Sequence, residues 1–157
     1  MPSSKHFRAF VALALAILPA SLATAQQTGL LLVAHGATPA WNDRVRAVAR
    51  EVRWPDGPVA VAFLMGSEAA HEGWSAGLRT LAAGGASGAV VVPVMVNSNG
   101  AHVRQIEFYA GLRAELPPSL AQHDHRDDGP VPALRLRVTP ALDAAPELGA
   151  ILLDGWR

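Results

Sequence analysis

The stretch GLLLVAHG, residues 29–36, decides the fold class. Its apolar part is short and continuous, and it ends at His35 and Gly36. Such a run is typical of a strand that is buried on both faces, because a strand with one face in water alternates apolar and polar side chains. We therefore predict that this run is the first strand of a parallel sheet.

The residues that follow alternate between helical and strand patterns. Trp41, Val45 and Val48 recur at helical spacing with charged residues between them, which predicts an amphipathic helix. Pro93 lies in a later apolar run and predicts a bulge or an early strand end, because proline cannot donate a backbone hydrogen bond. The predicted strands are 29–34, 59–64, 88–96 and 134–138, and the predicted helices are 41–53, 68–83, 102–116 and 141–153.

Strand and helix thus alternate about four times with short connections, which predicts an α/β fold. We expect a four-stranded parallel sheet that is flanked by helices. One segment departs from this pattern: residues 117–133 are rich in Pro, Asp and His and have no periodicity. Because that length exceeds ordinary connections, the segment is predicted to be a surface loop or a functional lid.

The composition argues against several classes of function. The 157 residues carry 13 Lys and Arg against 13 Asp and Glu, and phosphate neutralisation needs a surplus of cations, so we expect no nucleic-acid partner. The chain has no Cys, which excludes thiolate metal sites and cysteine nucleophiles. P-loop, Rossmann glycine, HExxH and GxSxG patterns do not occur, so no nucleotide cofactor is expected.

Residues 1–25 have the pattern of a secretory signal peptide: a basic start, an apolar run over 10–18, and small residues before Gln26. The apolar run is shorter than the about 20 residues that span a bilayer, so we expect no stable membrane span. The sequence therefore predicts an exported, periplasmic protein with a single domain over residues 26–157.

Two histidines stand where α/β sheets bind ligands, beyond the carboxyl ends of the strands and near the point where the strand order reverses. His35 ends the first strand and His102 follows the third, and these strands are neighbours in a flavodoxin-like order. A pair of imidazoles can bind a divalent metal or accept a proton. Spacing alone leaves a second interpretation open, in which each ring only satisfies nearby backbone groups.

Four segments resemble, in order and spacing, the small sirohydrochlorin cobaltochelatases of the CbiX type. The most specific motifs are His35-Gly36 and His102-Val103-Arg104. The resemblance implies a chelatase-like three-layer fold, a homodimer, and insertion of a divalent metal into a tetrapyrrole without ATP. The similar segments are residues 30–43, 59–64, 88–108 and 141–154.

The resemblance also implies roles for individual residues. His35 and His102 match the two metal-binding, catalytic histidines of the family, and we expect His102 to move protons as well. The metal is a substrate, with cobalt expected first and nickel or iron as alternatives, because imidazole accepts all three. As our own extension, we expect a polar loop and a nearby cation to hold the carboxylates of the tetrapyrrole. These residues are Asn97, Ser98, Asn99 and Arg104.

Some features depart from the family pattern. Met65 stands where many members carry an acidic residue. Glu68 and His71 are the nearest candidates to replace it as accessory groups, although their spacing favours a surface position. Family members commonly act in the cytoplasm, whereas this chain carries an export pattern. The segment 123–125, His-Asp-His, is a candidate for a second metal patch or a solvated loop.

Two other functions fit parts of the sequence. The opening stretch is similar to the start of histidine phosphatases, but these need an Arg directly before the nucleophilic His, and Ala34 occupies that position. Phosphate would therefore lack its cationic clamp. The stronger alternative is an exported protein that binds a metal or a tetrapyrrole on a chelatase fold without catalysis, because Met65 and the export pattern both depart from the family.

Overall fold

The computed structural model describes residues 26–123 and 130–154 and shows an α/β fold. Four parallel strands form one sheet in the order β2-β1-β3-β4, flanked by helices, as predicted. The main elements are β1 (Gln27–Ala34), α1 (Pro39–Glu51), β2 (Val59–Phe63), α2 (Trp74–Ala83), β3 (Ala86–Val94), α3 (Ala101–Tyr109), β4 (Arg135–Val138) and α4 (Pro146–Asp154). Short 3₁₀ helices lie at Ser67–Ala70, Pro118–His123 and Leu142–Ala144.

The main core lies between one face of the sheet and the helices α2 and α3. Leu31 of β1 and Val91 of β3 are inaccessible to solvent and pack in one cluster with Leu78 of α2 and Ile106 of α3. Ile106 lies one helical turn after His102, on the same side of α3. Burial of Ile106 therefore anchors the first turn of α3, and with it His102, against the sheet.

Pro93 lies inside β3, where the predicted bulge does not form, and the strand ends one residue later at Val94, two residues before its predicted end. The strand continues through Pro93 to Val94 in register with β1. The backbone N–H and C=O groups of Val91 point towards β4, where Val91 pairs with Val138, the last residue of that strand. The backbone nitrogen of Pro93, two residues further on, points to the same side, beyond the end of the hydrogen-bond ladder to β4. Its missing donor therefore costs no ladder hydrogen bond.

The helix α3 ends at Tyr109, well before the predicted end at residue 116. Gly111 adopts a φ of 75°, and its N–H donates to the carbonyl oxygen of Phe108 at 3.0 Å. The N–H of Leu112 donates to the carbonyl oxygen of Glu107 at 2.8 Å. This pair of bonds is the Schellman termination, which favours glycine. The helix therefore stops at Gly111, before the prolines at 117 and 118 that predicted its end.

Two other predicted helices begin later than expected, because each is preceded by a 3₁₀ helix that the spacing did not separate from it. The helix predicted over 68–83 begins at Trp74, and the one predicted over 141–153 begins at Pro146. The predicted loop 117–133 contains the 3₁₀ helix Pro118–His123.

Some predictions fall outside the part of the chain that the structure describes. These are the signal peptide over residues 1–25 and, within the segment 123–125, Asp124 and His125. Among the helices within residues 26–123 and 130–154, none is long and apolar enough to span a bilayer.

Candidate metal centre

The structure brings His35 and His102 together. The two ring centroids are 4.5 Å apart, and the rings meet edge to face at 82°. His35 follows β1 and His102 is the second residue of α3, and β1 and β3 are adjacent in the sheet. Because the carboxyl ends of parallel strands meet at one edge, residues far apart in sequence converge there. His35 is exposed and His102 is half-buried, so the pair is open to a ligand from solvent.

Each ring is hydrogen-bonded through one nitrogen. His35 Nδ1 lies 2.7 Å from the carbonyl oxygen of Gly36, and His102 Nδ1 lies 3.0 Å from Oε1 of Gln105. Because a carbonyl oxygen only accepts, Nδ1 carries the proton in the neutral ring and Nε2 keeps its lone pair. The interpretation in which each ring only satisfies nearby groups therefore accounts for Nδ1 alone, and Nε2 is the nitrogen through which each ring could bind a metal ion.

The turn directly after His35 requires glycine at position 36. Its φ is 86°, a left-handed conformation, and a Cβ placed there would overlap the carbonyl oxygen of Met65. That stretch of backbone is held in turn, because the N–H of Met65 donates to the carbonyl oxygen of His35 at 2.8 Å. The chain can therefore turn sharply after His35 only with glycine at this position.

A buried hydrogen-bonded row lies behind His102 on α3. Gln105 is inaccessible to solvent, and its Nε2 donates to the hydroxyl oxygen of Tyr109 at 2.8 Å. The ring of Tyr109 lies 5.7 Å from that of Trp74, between centroids. Sequence reasoning missed Gln105 and Tyr109. The available signal was their spacing from His102, which places all three on one face of the helix.

Asn42 holds the loop that follows His35. It is inaccessible to solvent, and its Oδ1 accepts a hydrogen bond from the N–H of Ala37 at 3.0 Å. The helix α1 begins directly after this loop, and the N–H of Asn42 donates to the carbonyl oxygen of Thr38. Asn42 was also missed from sequence, where an Asn in a first helical turn is only a weak sign of a side chain bonded to a loop.

Comparison with known proteins identifies the family. The CbiX family profile matches residues 29–156. The chain belongs to the CbiX family. This confirms the resemblance seen in the sequence, and CbiX membership supports the coarse functional class of a metal chelatase that acts on tetrapyrroles.

A solved structure supports the same fold. The chain is similar to a protein from Marinobacter aquaeolei VT8 described as a cobalamin (vitamin B12) biosynthesis CbiX protein, with a TM-score of 0.56 and 17% sequence identity. The match covers 81% of this chain and 92% of that one. At this identity the similarity concerns the CbiX fold alone. No curated protein sequence matches the chain.

The accessory candidates of this CbiX chain lie apart from the histidine pair. Glu68 pairs with Arg46 at 2.5 Å, and Arg46 also contacts Glu72 at 2.6 Å. The hydrogen bonds that Arg46 donates to its carboxylate partners, to Glu72 first, raise the pKa of Arg46 above its ordinary value. His71 is exposed. Within the described residues, no three or more His, Cys, Asp or Glu side chains form a metal-binding group, so neither Glu68 nor His71 completes the pair.

Ser98 ties the polar loop before α3 to the C-terminal part of this CbiX domain. Its N–H donates to Asp143 Oδ2 at 2.9 Å, and its hydroxyl donates to Asp143 Oδ1. The hydroxyl oxygen accepts from the N–H of Ala141 at 2.9 Å. Ser98 was predicted to bind substrate, whereas here its hydroxyl is engaged in holding the loop.

The other predicted substrate-binding residues face solvent. Asn97, Asn99 and Arg104 are exposed. Asn97 Oδ1 accepts a hydrogen bond from the N–H of Asn99 at 2.8 Å, which closes the loop on itself. These side chains flank the start of α3, so they lie in the same part of the fold as His102.

The bonds from Ser98 hold the pKa of Asp143 below its ordinary value of 3.8, first through the hydroxyl and then through the backbone N–H. The pKa of Asp143 is lower in the folded state than in the unfolded state, so the ionised carboxylate stabilises the folded state above pH 3.8. This stabilisation is lost as the pH falls through the folded-state pKa. Ser98→Ala should therefore raise the pKa of Asp143 towards 3.8.

A ¹³C NMR titration of the Asp143 carboxyl group measures this shift directly. Asn99→Ala, in the same loop, is the matched control and should leave the titration of Asp143 unchanged. An unchanged titration in Ser98→Ala would show that the hydroxyl does not hold this carboxylate.

Proposed function

We propose that this protein inserts a divalent metal ion, cobalt in first place, into a tetrapyrrole such as sirohydrochlorin without ATP. The observation that carries the proposal is the edge-to-face pair of His35 and His102, whose Nε2 atoms are both left with lone pairs. Membership of the CbiX family supports it independently.

The pair suits metal transfer because it binds through only two protein nitrogens. Two ligands leave the other coordination positions to water, which a tetrapyrrole can replace. Insertion exchanges imidazole nitrogens for pyrrole nitrogens, and two pyrrole protons leave as the metal enters. A histidine whose Nε2 is not bound to the metal can accept one of these protons, and solvent water accepts the other. His102 is our choice for this role, because its ring is half-buried and held by Gln105.

The carboxylates of the tetrapyrrole need partners near the pair. Arg104 supplies a cation on the first turn of α3, and Asn97 and Asn99 supply amides in the preceding loop. We assign substrate binding to these three side chains. For Ser98 we keep only an indirect role, because its hydroxyl is bonded to Asp143.

Nickel and iron stay open as alternative metals, since imidazole nitrogen binds all of these ions and selectivity depends on geometry and supply. We further propose that two copies of the chain form a homodimer, as the family resemblance implies. Export to the periplasm is proposed from the pattern of residues 1–25 alone.

A second candidate function is a carrier that binds the metal or the tetrapyrrole without inserting one into the other. It is favoured by Met65, which stands where many family members carry an acidic residue. Fold and family do not decide between the two, because one fold supports both catalysis and binding.

The test is metal insertion into sirohydrochlorin, followed by absorbance with Co²⁺, Ni²⁺ or Fe²⁺. We expect the protein to accelerate insertion above the uncatalysed rate, most with Co²⁺. Binding of Co²⁺ or of sirohydrochlorin without any acceleration would select the carrier. Binding of neither would contradict both candidates.

A further inference from the structure

Gln105 stands between His102 and Tyr109 and bonds both. Its Oε1 faces Nδ1 of His102 at 3.0 Å, and its Nε2 donates to the Tyr109 hydroxyl at 2.8 Å. We propose that Gln105, held in place by Tyr109, is a positioning residue that fixes the Nδ1–H tautomer of His102 and so directs the Nε2 lone pair to the substrate metal. This inference rests on the proposed function of the histidine pair.

The orientation of the Gln105 amide determines the tautomer of His102. With the carbonyl end towards His102, the ring must carry its proton on Nδ1. With the amide reversed, Nε2 of Gln105 would donate to Nδ1, and the ring proton would move to the nitrogen that the metal needs. A neutral imidazole binds metal only through its unprotonated nitrogen, so the reversed amide blocks the site.

Complete burial confines the Gln105 amide to two protein partners, His102 and Tyr109. Gln105 is inaccessible to solvent, so water cannot supply a missing partner to either end of its amide. A buried polar group without a partner is costly, and the observed orientation gives each end a protein partner. The Tyr109 hydroxyl oxygen is the acceptor that the amide N–H₂ finds in this orientation.

The ring of Tyr109, at the end of the hydrogen bonds from His102 through Gln105, packs against the core of the domain. The Tyr109 ring lies 5.7 Å from Trp74 of α2 and 6.0 Å from Phe108, between centroids. Trp74 is 3% exposed and belongs to the main core cluster. The packing of α2 against α3 therefore holds the hydroxyl in place, and the hydroxyl holds the amide.

His35 provides an internal comparison. Its Nδ1 faces the backbone oxygen of Gly36, which no side-chain substitution on α3 removes. Changes at Gln105 or Tyr109 should therefore alter the tautomer of His102 and leave that of His35 as it is.

The experiment combines ¹⁵N NMR of the histidine rings in the metal-free protein with Co²⁺ titration. Spectra are recorded under mildly alkaline conditions, where imidazole rings are neutral. We expect Nδ1–H at His102 in the original protein and in Gln105→Glu, which keeps an acceptor oxygen. In Gln105→Leu we expect loss of this tautomer and about 10- to 100-fold weaker Co²⁺ binding, the range for loss of an outer-shell partner.

Tyr109→Phe keeps the amide and removes only the hydroxyl. It should give a mixture of His102 tautomers and an intermediate affinity, and it carries the test if Gln105→Leu does not fold. Circular dichroism identifies folded variants.

An unchanged His102 tautomer in every one of the two variants, Gln105→Leu and Tyr109→Phe, that folds would overturn the positioning role. If these substitutions shift the tautomer as expected while the original protein inserts no metal, the proposed function fails and the positioning role stands.

Discussion

Replacing either His35 or His102 with Ala should abolish metal insertion and leave the fold intact. Each ring contributes one of two nitrogen donors, so either substitution leaves the metal with a single protein ligand. The loss in Co²⁺ affinity should exceed the about 10- to 100-fold that loss of an outer-shell partner costs. His35 is exposed, so His35→Ala should change the free energy of unfolding by no more than about 0.5 kcal/mol.

The measurement is the rate of metal insertion into sirohydrochlorin for both variants, with Co²⁺ titration alongside. His71→Ala is the matched control, since His71 is exposed and lies outside the pair. It should bind Co²⁺ and insert it at the original rate. Retention of the original rate by either His35→Ala or His102→Ala would contradict the assignment of the pair.

Gly36→Ala should be the most destabilising single-methyl change near the site. A side chain at a φ of 86° is strained, and the added Cβ would also overlap the carbonyl oxygen of Met65. The strain and the overlap together should cost about 2 to 4 kcal/mol in the free energy of unfolding. Because the turn presents His35, the same change should weaken Co²⁺ binding.

Gly111→Ala separates the two causes. Gly111 has a similar φ of 75°, but within the described residues no atom beyond its chain neighbours lies within 4 Å of the position of its Cβ. It should therefore show the strain alone, about 1 kcal/mol, with Co²⁺ binding unchanged. Urea unfolding of both variants gives the comparison. Equal losses of stability would mean that the backbone near Met65 relaxes freely and that only the strain of the left-handed conformation acts at Gly36.

The α/β class was predictable because every strand of the sheet carries its own local signal. Apolar runs such as that of β1 report burial on both faces, and amphipathic spacing reports the helices that cover them. Helix ends were less predictable. Gly111 ends α3 through bonds that any helix with a suitable glycine can form, so spacing alone favoured the prolines beyond it.

The histidine pair was predictable for a geometric reason: carboxyl ends of adjacent parallel strands converge, so His35 and His102 could be placed together before any contact was known. The side chains that support the pair were not predictable from the sequence. Gln105 and Tyr109 matter because they are buried with a specific orientation, and the bonds of Ser98 to Asp143 join segments far apart in sequence. Such partners depend on packing that periodicity does not report.

The central claim is that His35 and His102 hold one metal ion between their Nε2 atoms. Crystals of the protein soaked in Co²⁺ and measured at the cobalt absorption edge test it most directly. We expect an anomalous peak within about 2.0 to 2.2 Å of both Nε2 atoms, the usual range for a metal–imidazole bond. Cobalt bound elsewhere in the protein, or to one of these rings through Nδ1, would contradict it.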